Sequence, residues 1–154
     1  MKYSIDTSGI LDGRRFYPPD VFPTVWTKFE NLIASGHARA TDEVLRELKK
    51  KEGDEVYKWC LGMNDFFLPL DGEIQAAVSD VLAAHPNLVQ SGGKRSAADP
   101  FVIAVARAHK CAVVTGESRS GKLDKPRIPD VCDALGVKCY SFLELIRREG
   151  WTFK

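Results

Sequence analysis

Ser96 to Glu117 reads SAADPFVIAVARAHKCAVVTGE, and the fold is decided there: a helix running straight into a buried strand. Ser96 and Asp99 stand in the Ser-x-x-Asp relation that opens helices, and Pro100 is tolerable only in a first turn. Asp99 could equally be the N-cap itself, with Pro100 at the first helical position. Phe101, Val102, Val105, Ala106 and Ala108 then fall at helical spacing. Cys111-Ala-Val-Val-Thr115 is a short β-branched run of the kind buried on both faces of a parallel sheet. Glu117 follows at the carboxyl end of that strand, where ligands bind in open α/β sheets. Taken singly, Asp99 is explained as a helix cap and Glu117 as a solvated loop charge.

Upstream, Lys2 to Asp6 is a first strand that ends in Asp-Thr-Ser-Gly. Leu11 to Asp20 carries Gly13, Pro18 and Pro19, which predicts a loop, made basic by Arg14 and Arg15. Asp20 is placed to cap a helix on which Phe22, Trp26, Phe29 and Ile33 recur, ending at Gly36. His37 to Ala40 is a second strand, and Thr41 is placed to cap the next helix, with Asp42 and Glu43 near its start. Val44, Leu45 and Leu48 are that helix's core face, and Glu47 lies one turn beyond Glu43. Asp54 opens a further amphipathic segment. Phe66 to Leu70, interrupted by Pro69, suits an edge strand. Asp71 caps a helix stopped by Pro86, and Ser91 to Arg95 is a basic loop.

Downstream, Ser118 to Arg127 is a polar loop, Pro129 starts a helix that ends at Gly136, and Val137 to Tyr140 is a strand. Ser141 and Glu144 form a capping box for a final helix over Phe142 to Glu149. The order is β-α-β-α-α-β-α-α-β-α-β-α. Strands alternating with helices imply an α/β fold: a parallel sheet, helices on both faces, right-handed crossovers.

At 154 residues the chain is expected to be one domain, residues 1–154, large enough to bury a core without staples. Its 44% apolar and 28% charged content is that of an ordinary globular protein. A net charge of +1 gives no global pull toward nucleic acid or anionic membrane, so any such contact must be local. No run reaches the ~18 apolar residues of a membrane span, and the first residues lack the shape of a signal peptide. The cytoplasm is the expected compartment. Cys60, Cys111, Cys132 and Cys139 show no zinc spacing and sit in apolar patterns, as reduced core residues do.

Acidic residues collect at the carboxyl ends of the expected strands: Asp6 after the first, Glu43 and Glu47 on the helix after the second, Asp99 and Glu117 around the fourth. Carboxylates packed together repel unless a proton or a cation is shared. Oxygen-only ligands favour Mg²⁺ or Mn²⁺ over zinc, and such ions activate water and neutralise charge developing on a phosphodiester. Asp6 has no capping duty if the chain turns into loop at Gly9, which favours a functional role for it.

Asp6-Thr7-Ser8, Thr41-x-x-Val-x-x-Glu47-Leu48, Ala98-Asp99-Pro-Phe-Val-Ile-Ala and Val113-Val-Thr-Gly-Glu117 resemble the PIN domain. That is the ribonuclease fold of many bacterial and archaeal toxin–antitoxin toxins. Tyr17-Pro-Pro-Asp-Val-Phe-Pro and Ile128-Pro-Asp-Val-Cys resemble, more narrowly, the PIN-like DUF4411 type. The resemblance spans Tyr3 to about Gly150. It implies a three-layer sandwich with sheet order 3-2-1-4-5 and divalent-metal-dependent cleavage of single-stranded RNA. By position, Asp6, Glu47 and Asp99 match the family's three acidic residues. Glu117 stands where many members have Asp, a departure that lengthens the reach to metal. Thr7, Ser8 and Thr115 match hydroxyls that support such sites. An antitoxin partner and a homodimer are expected by the same analogy.

Arg14, Arg15, Lys94, Arg95, Arg119 and Lys122 lie in loops expected around the acidic edge, as a set able to hold RNA phosphates without sequence preference. Trp26, Trp59 and Phe101 are read as core rather than base-stacking platforms, and His37, His85 and His109 as solvated residues at segment ends. Two rival functions stand beside the nuclease. An aspartyl phosphotransferase would want a second Asp two residues after Asp6, where Ser8 stands. A non-catalytic RNA-binding or scaffold module would keep the fold without the chemistry.

Overall fold

A computed structural model describes residues 1–50, 54–89 and 97–154. In chain order these form β1 (Tyr3–Ile5), α1 (Thr7–Phe16), α2 (Pro23–Ala34), β2 (Ala38–Thr41), α3 (Asp42–Lys50), α4 (Asp54–Leu61), β3 (Phe67–Leu68), α5 (Gly72–Ala84), α6 (Asp99–Ala108), β4 (Ala112–Val114), α7 (Ile128–Leu135), β5 (Cys139–Tyr140) and α8 (Phe142–Arg148). A single 3₁₀ turn, Pro86–Leu88, follows α5.

The strands pair in the order β3-β2-β1-β4-β5, all parallel. Right-handed crossovers then put α1–α4 on one face and α5–α7 on the other, and α8 returns to the first face to pack on α1. The direction of winding reverses between β1 and β4, and the carboxyl ends at such a reversal are where open α/β sheets place ligands. α6 lies across β1, β2 and β4 and is covered in turn by α5. That double coverage buries Val102, Ile103, Ala104, Val105 and Ala106 together, wider than the one-sided stripe the spacing predicts. On the other face Trp26, Phe29, Trp59, Phe66 and Phe142 interlock edge-to-face and stacked, Phe29 and Phe142 with centroids 5.3 Å apart. Trp26 is buried and Trp59 half-buried there, as core.

Four local expectations are corrected. The segment expected to be loop from Leu11 onward is helix: α1 begins at Thr7 and runs to Phe16. Its glycines are contact points rather than breakers. A Cβ on Gly9 would lie 2.7 Å from the Val114 carbonyl oxygen, and one on Gly13 would lie 2.9 Å from the Phe142 ring. α2 starts at Pro23 with no side-chain cap, so Asp20 does not cap it; a proline already lacks the orphan N–H a cap would satisfy. The Thr41 hydroxyl, buried at the end of β2, has no hydrogen-bond partner among the described residues, so it does not cap α3. Asp71 and Ser141 do cap, at 2.8 Å to Ile74 N and 3.1 Å to Glu144 N. α6 begins at Asp99 with Ala98 at its N-cap, so Asp99 is a first-turn acid and not the cap; Ser96 lies outside the described residues.

Candidate functional site

Register brings the first pieces together. Ile5 pairs with Val114, so Asp6 and Thr115 leave the sheet side by side, and Asp6 N still donates to Val114 O at 2.9 Å. Both side chains are buried, each 2% exposed. Thr115 Oγ1 donates to Asp6 Oδ2 at 2.9 Å, and the Ser8 hydroxyl and Ser8 N, the latter at 3.3 Å, donate to the same oxygen. All three bonds fall on Oδ2. Each hydroxyl spends its proton on Asp6 and accepts a backbone N–H from the β4 turn: Gly116 to Ser8 at 2.9 Å, Glu117 to Thr115 at 3.1 Å.

The second piece is the level of Asp99. Ser4 Oγ donates to Val102 O at 2.8 Å, tying β1 to α6. Asp6 lies two residues further along the strand on the same side, about 6.6 Å. Asp99 lies three residues back along a helix running the opposite way, about 4.5 Å. Both therefore stand at the carboxyl edge of the sheet, and Asp99 is itself buried.

Glu47 joins through Thr7, whose hydroxyl donates to Glu47 Oε2 at 2.6 Å. Glu117 turns toward α7, accepting from Ile128 N at 2.8 Å. Both glutamates are half-buried, and both charges bear on Asp6. Burial first, then Glu117 and more weakly Glu47, push the Asp6 carboxyl up to about 6 against the lowering effect of its hydroxyl donors. Glu43 goes elsewhere: it pairs with Arg46 and lines a small recess with Leu68, Ile74 and Phe101. Of the two α3 acids, the structure places Glu47 beside Asp6.

Asp6 does cap α1, through its contact with Ser8 N. The premise that it lacks a capping duty is thus corrected, because the chain turns into helix at Thr7 and not into loop.

Two acids missed in sequence matter here. Asp12, within the segment expected to be loop, sits on α1 with its carboxylate against Gly116, where a Cβ would meet Oδ2 at 2.3 Å; burial raises its pKa. Its helix was not legible, so neither was its direction. Asp130, in the first turn of α7, gathers the turn after Glu117: it accepts from Arg127 N, Ser120 N, Ser120 Oγ and Gly121 N at 2.8, 2.9, 2.8 and 3.0 Å. Although burial alone would raise it, these donors, Arg127 N first, hold its carboxyl down at about 2. The signal was present in Pro129-Asp130 as a first-turn acid.

The basic residues divide. Arg14 does not face the acidic edge as expected; its guanidinium lies 4.1 Å from the Trp26 ring centre and 4.7 Å from that of Trp59. It is a cation held between indoles because α1 extends to Phe16 and carries it into the aromatic core. Arg119 forks onto Asp133 at 2.6 and 2.9 Å. Arg15 and Lys122 are exposed, and Lys94 and Arg95 lie outside the described residues.

Among the described residues, no three His, Cys, Asp or Glu side chains stand close enough to enclose one metal ion. The donor set still fits a hard divalent cation in kind: carboxylate oxygens only, mutually repelling, with Asp6 Oδ1 left over once Oδ2 is saturated. Glu47 and Glu117 would have to leave the Thr7 and Ile128 donors to join. A family model described as a domain of unknown function, DUF4411, matches residues 3–153. No curated protein matches the chain.

Proposed function

The chain belongs to the DUF4411 family, whose description names no activity, and we propose one from the site: a PIN-like, divalent-metal-dependent endoribonuclease acting on single-stranded RNA. The observation that supports it is a buried Asp6 whose Oδ2 is taken by the Ser8 and Thr115 hydroxyls, with Glu47 held next to it by Thr7 and the Glu117 and Glu47 charges bearing on it. Groups that repel in this way are stabilised together by a cation. Asp6, Glu47, Asp99 and Glu117 would hold it. Bound there, Mg²⁺ or Mn²⁺ would neutralise charge on the phosphodiester and activate water for in-line attack.

The chain's own contribution is positioning. Ser8 and Thr115 fix Asp6 so that Oδ1 is presented, and Thr7 orients Glu47. Arg15 and Lys122, both exposed, would hold RNA phosphates, a sequence-independent and salt-sensitive contact. A toxin of a toxin–antitoxin pair, cytoplasmic, dimeric and neutralised by an antitoxin segment, is the biological setting we infer from the PIN likeness.

One observation favours a second reading. The absence, among the described residues, of a ready three-carboxylate cage is what a non-catalytic RNA-binding or scaffold module would show.

The test is cleavage of single-stranded RNA with Mn²⁺ or with EDTA, beside Asp6→Asn and Asp99→Asn. Cleavage confined to the wild-type protein with Mn²⁺ supports the nuclease; equal cleavage in every tube marks contamination and ends it. RNA binding without cleavage, undiminished in EDTA, selects the scaffold.

A further inference from the structure

The opposite end of the sheet carries a cleft of about 750 Å³ at the amino ends of β1, β4 and β5. Lys2, Arg107, Lys110, Lys138 and Arg148 line it, all exposed. Among the described lining residues Glu149 is the one carboxylate, and it is already engaged, by the Tyr3 hydroxyl at 2.6 Å and by Lys2 at 3.3 Å. In a chain whose net charge is only +1, this is a strong local concentration of positive charge, and a concave wall focuses its field.

Lys110 adds a separate signal. It sits at φ 51°, in the left-handed region, where the chain leaves α6 for β4. Lys110 N donates to Arg107 O at 3.2 Å and Cys111 N to Ala106 O at 2.9 Å, closing the helix end in the way that ordinarily selects glycine. A lysine there holds a backbone conformation that side chains other than glycine disfavour, and strain of this kind clusters at binding sites. Behind the cations the wall is partly apolar: Leu135, Val137 and Tyr140 are half-buried, and the Arg148 guanidinium lies 4.5 Å from the Tyr140 ring centre.

We propose that this cleft binds a nucleoside polyphosphate, its phosphates on Arg107, Lys110 and Lys138 and its base against Tyr140 and Val137. The volume falls within the range of small-molecule pockets. Lys110 and Lys138 precede the adjacent strands β4 and β5, which lie about 5 Å apart, a spacing that one polyphosphate chain spans. The proposal is independent of the nuclease reading, since the sheet separates this cleft from Asp6.

Calorimetric titration of the intact protein with ATP, and separately with inorganic tripolyphosphate, tests it. We expect saturable one-to-one ATP binding that weakens with salt, competition by tripolyphosphate, and roughly tenfold weaker binding in Lys110→Glu and in Lys138→Glu. Far-UV circular dichroism checks that both variants fold. Independently of any variant, ATP should protect Lys110 and Lys138 of the wild-type protein from acetylation, read by mass spectrometry. No saturation by about 1 mM ATP at low salt, unchanged affinity in both folded variants, or absence of protection overturns the proposal. So does displacement of ATP by single-stranded oligoribonucleotides whose affinity rises with length, which would make the cleft an RNA track.

Discussion

Ser4 on β1 donates its buried hydroxyl to the backbone carbonyl of Val102 on α6 at 2.8 Å, and this one bond sets the height of Asp99 against Asp6. A helix packed on a sheet by apolar contact alone can slide; a directional bond between buried groups cannot. Ser4→Ala should cost about 1 kcal/mol, the ordinary net worth of such a bond. It should also weaken any Mn²⁺-induced rise in melting temperature. Urea unfolding and thermal melts with and without Mn²⁺ measure both. An unchanged urea midpoint would show that packing alone holds the register.

Gly9 offers a test whose sign is informative. In an exposed helix interior, Gly→Ala stabilises by up to about 1 kcal/mol. Here the new Cβ would lie 2.7 Å from the backbone oxygen of Val114, which cannot swing aside. Gly9→Ala should therefore destabilise, by about 1–3 kcal/mol, and separate α1 from β4 where Ser8 and Thr115 meet over Asp6. Chemical denaturation reads the sign directly.

Asp6 makes stability depend on pH in an unusual direction. Its folded pKa of about 6 lies above the ordinary carboxylate value of 3.8, so between those values the native state binds more protons than the unfolded chain. Stability should then fall as pH rises from about 4 to 6 and level off above, by on the order of 3 kcal/mol at most. Asp6→Asn should flatten this slope and be the more stable protein at pH 7.5 in EDTA. Melting curves of both proteins across pH 4 to 8 check it, with a parallel pH profile for the two refuting the assignment.

Asp130 behaves oppositely. Its carboxyl is held down at about 2 by Arg127 N, Ser120 and Gly121, so its contribution is complete above the ordinary carboxylate range and is lost as pH falls toward 2. Asp130→Ala leaves these donors without their acceptor and should cost roughly 2 kcal/mol. The turn from Ser118 to Arg127 should become the first site of protease cleavage. Limited proteolysis with peptide mapping locates the cut.

Arg14 and Arg15 are neighbours with different fates. Arg14→Ala should lower stability by about 1 kcal/mol through loss of the Trp26 and Trp59 contacts, leaving RNA affinity unchanged. Arg15→Ala and Lys122→Ala should leave stability alone, weaken RNA binding, and each reduce its salt dependence by about one charge. Filter binding at several salt concentrations, set beside melting temperatures, separates the two classes.

Chain order, parallel pairing and the acids at strand ends were legible because each rests on short-range pattern. Val113-Val114 is β-branched whatever surrounds it, Asp71 and Ser141 cap their own helices, and Asp6 ends its own strand. What escaped depended on partners distant in sequence. Gly13 looks like a helix breaker until the Phe142 ring is laid against it, and with α1 unseen, Asp12 and Arg14 had no direction. Glu43 and Glu47 are one turn apart on one helix. Only the Thr7 hydroxyl on one side and Arg46 on the other decide which of them stands beside Asp6. Local spacing is set by covalent geometry and travels with the chain, whereas the protonation of Asp6 and the pairing of each charge depend on which groups the folded sheet brings within a few ångströms.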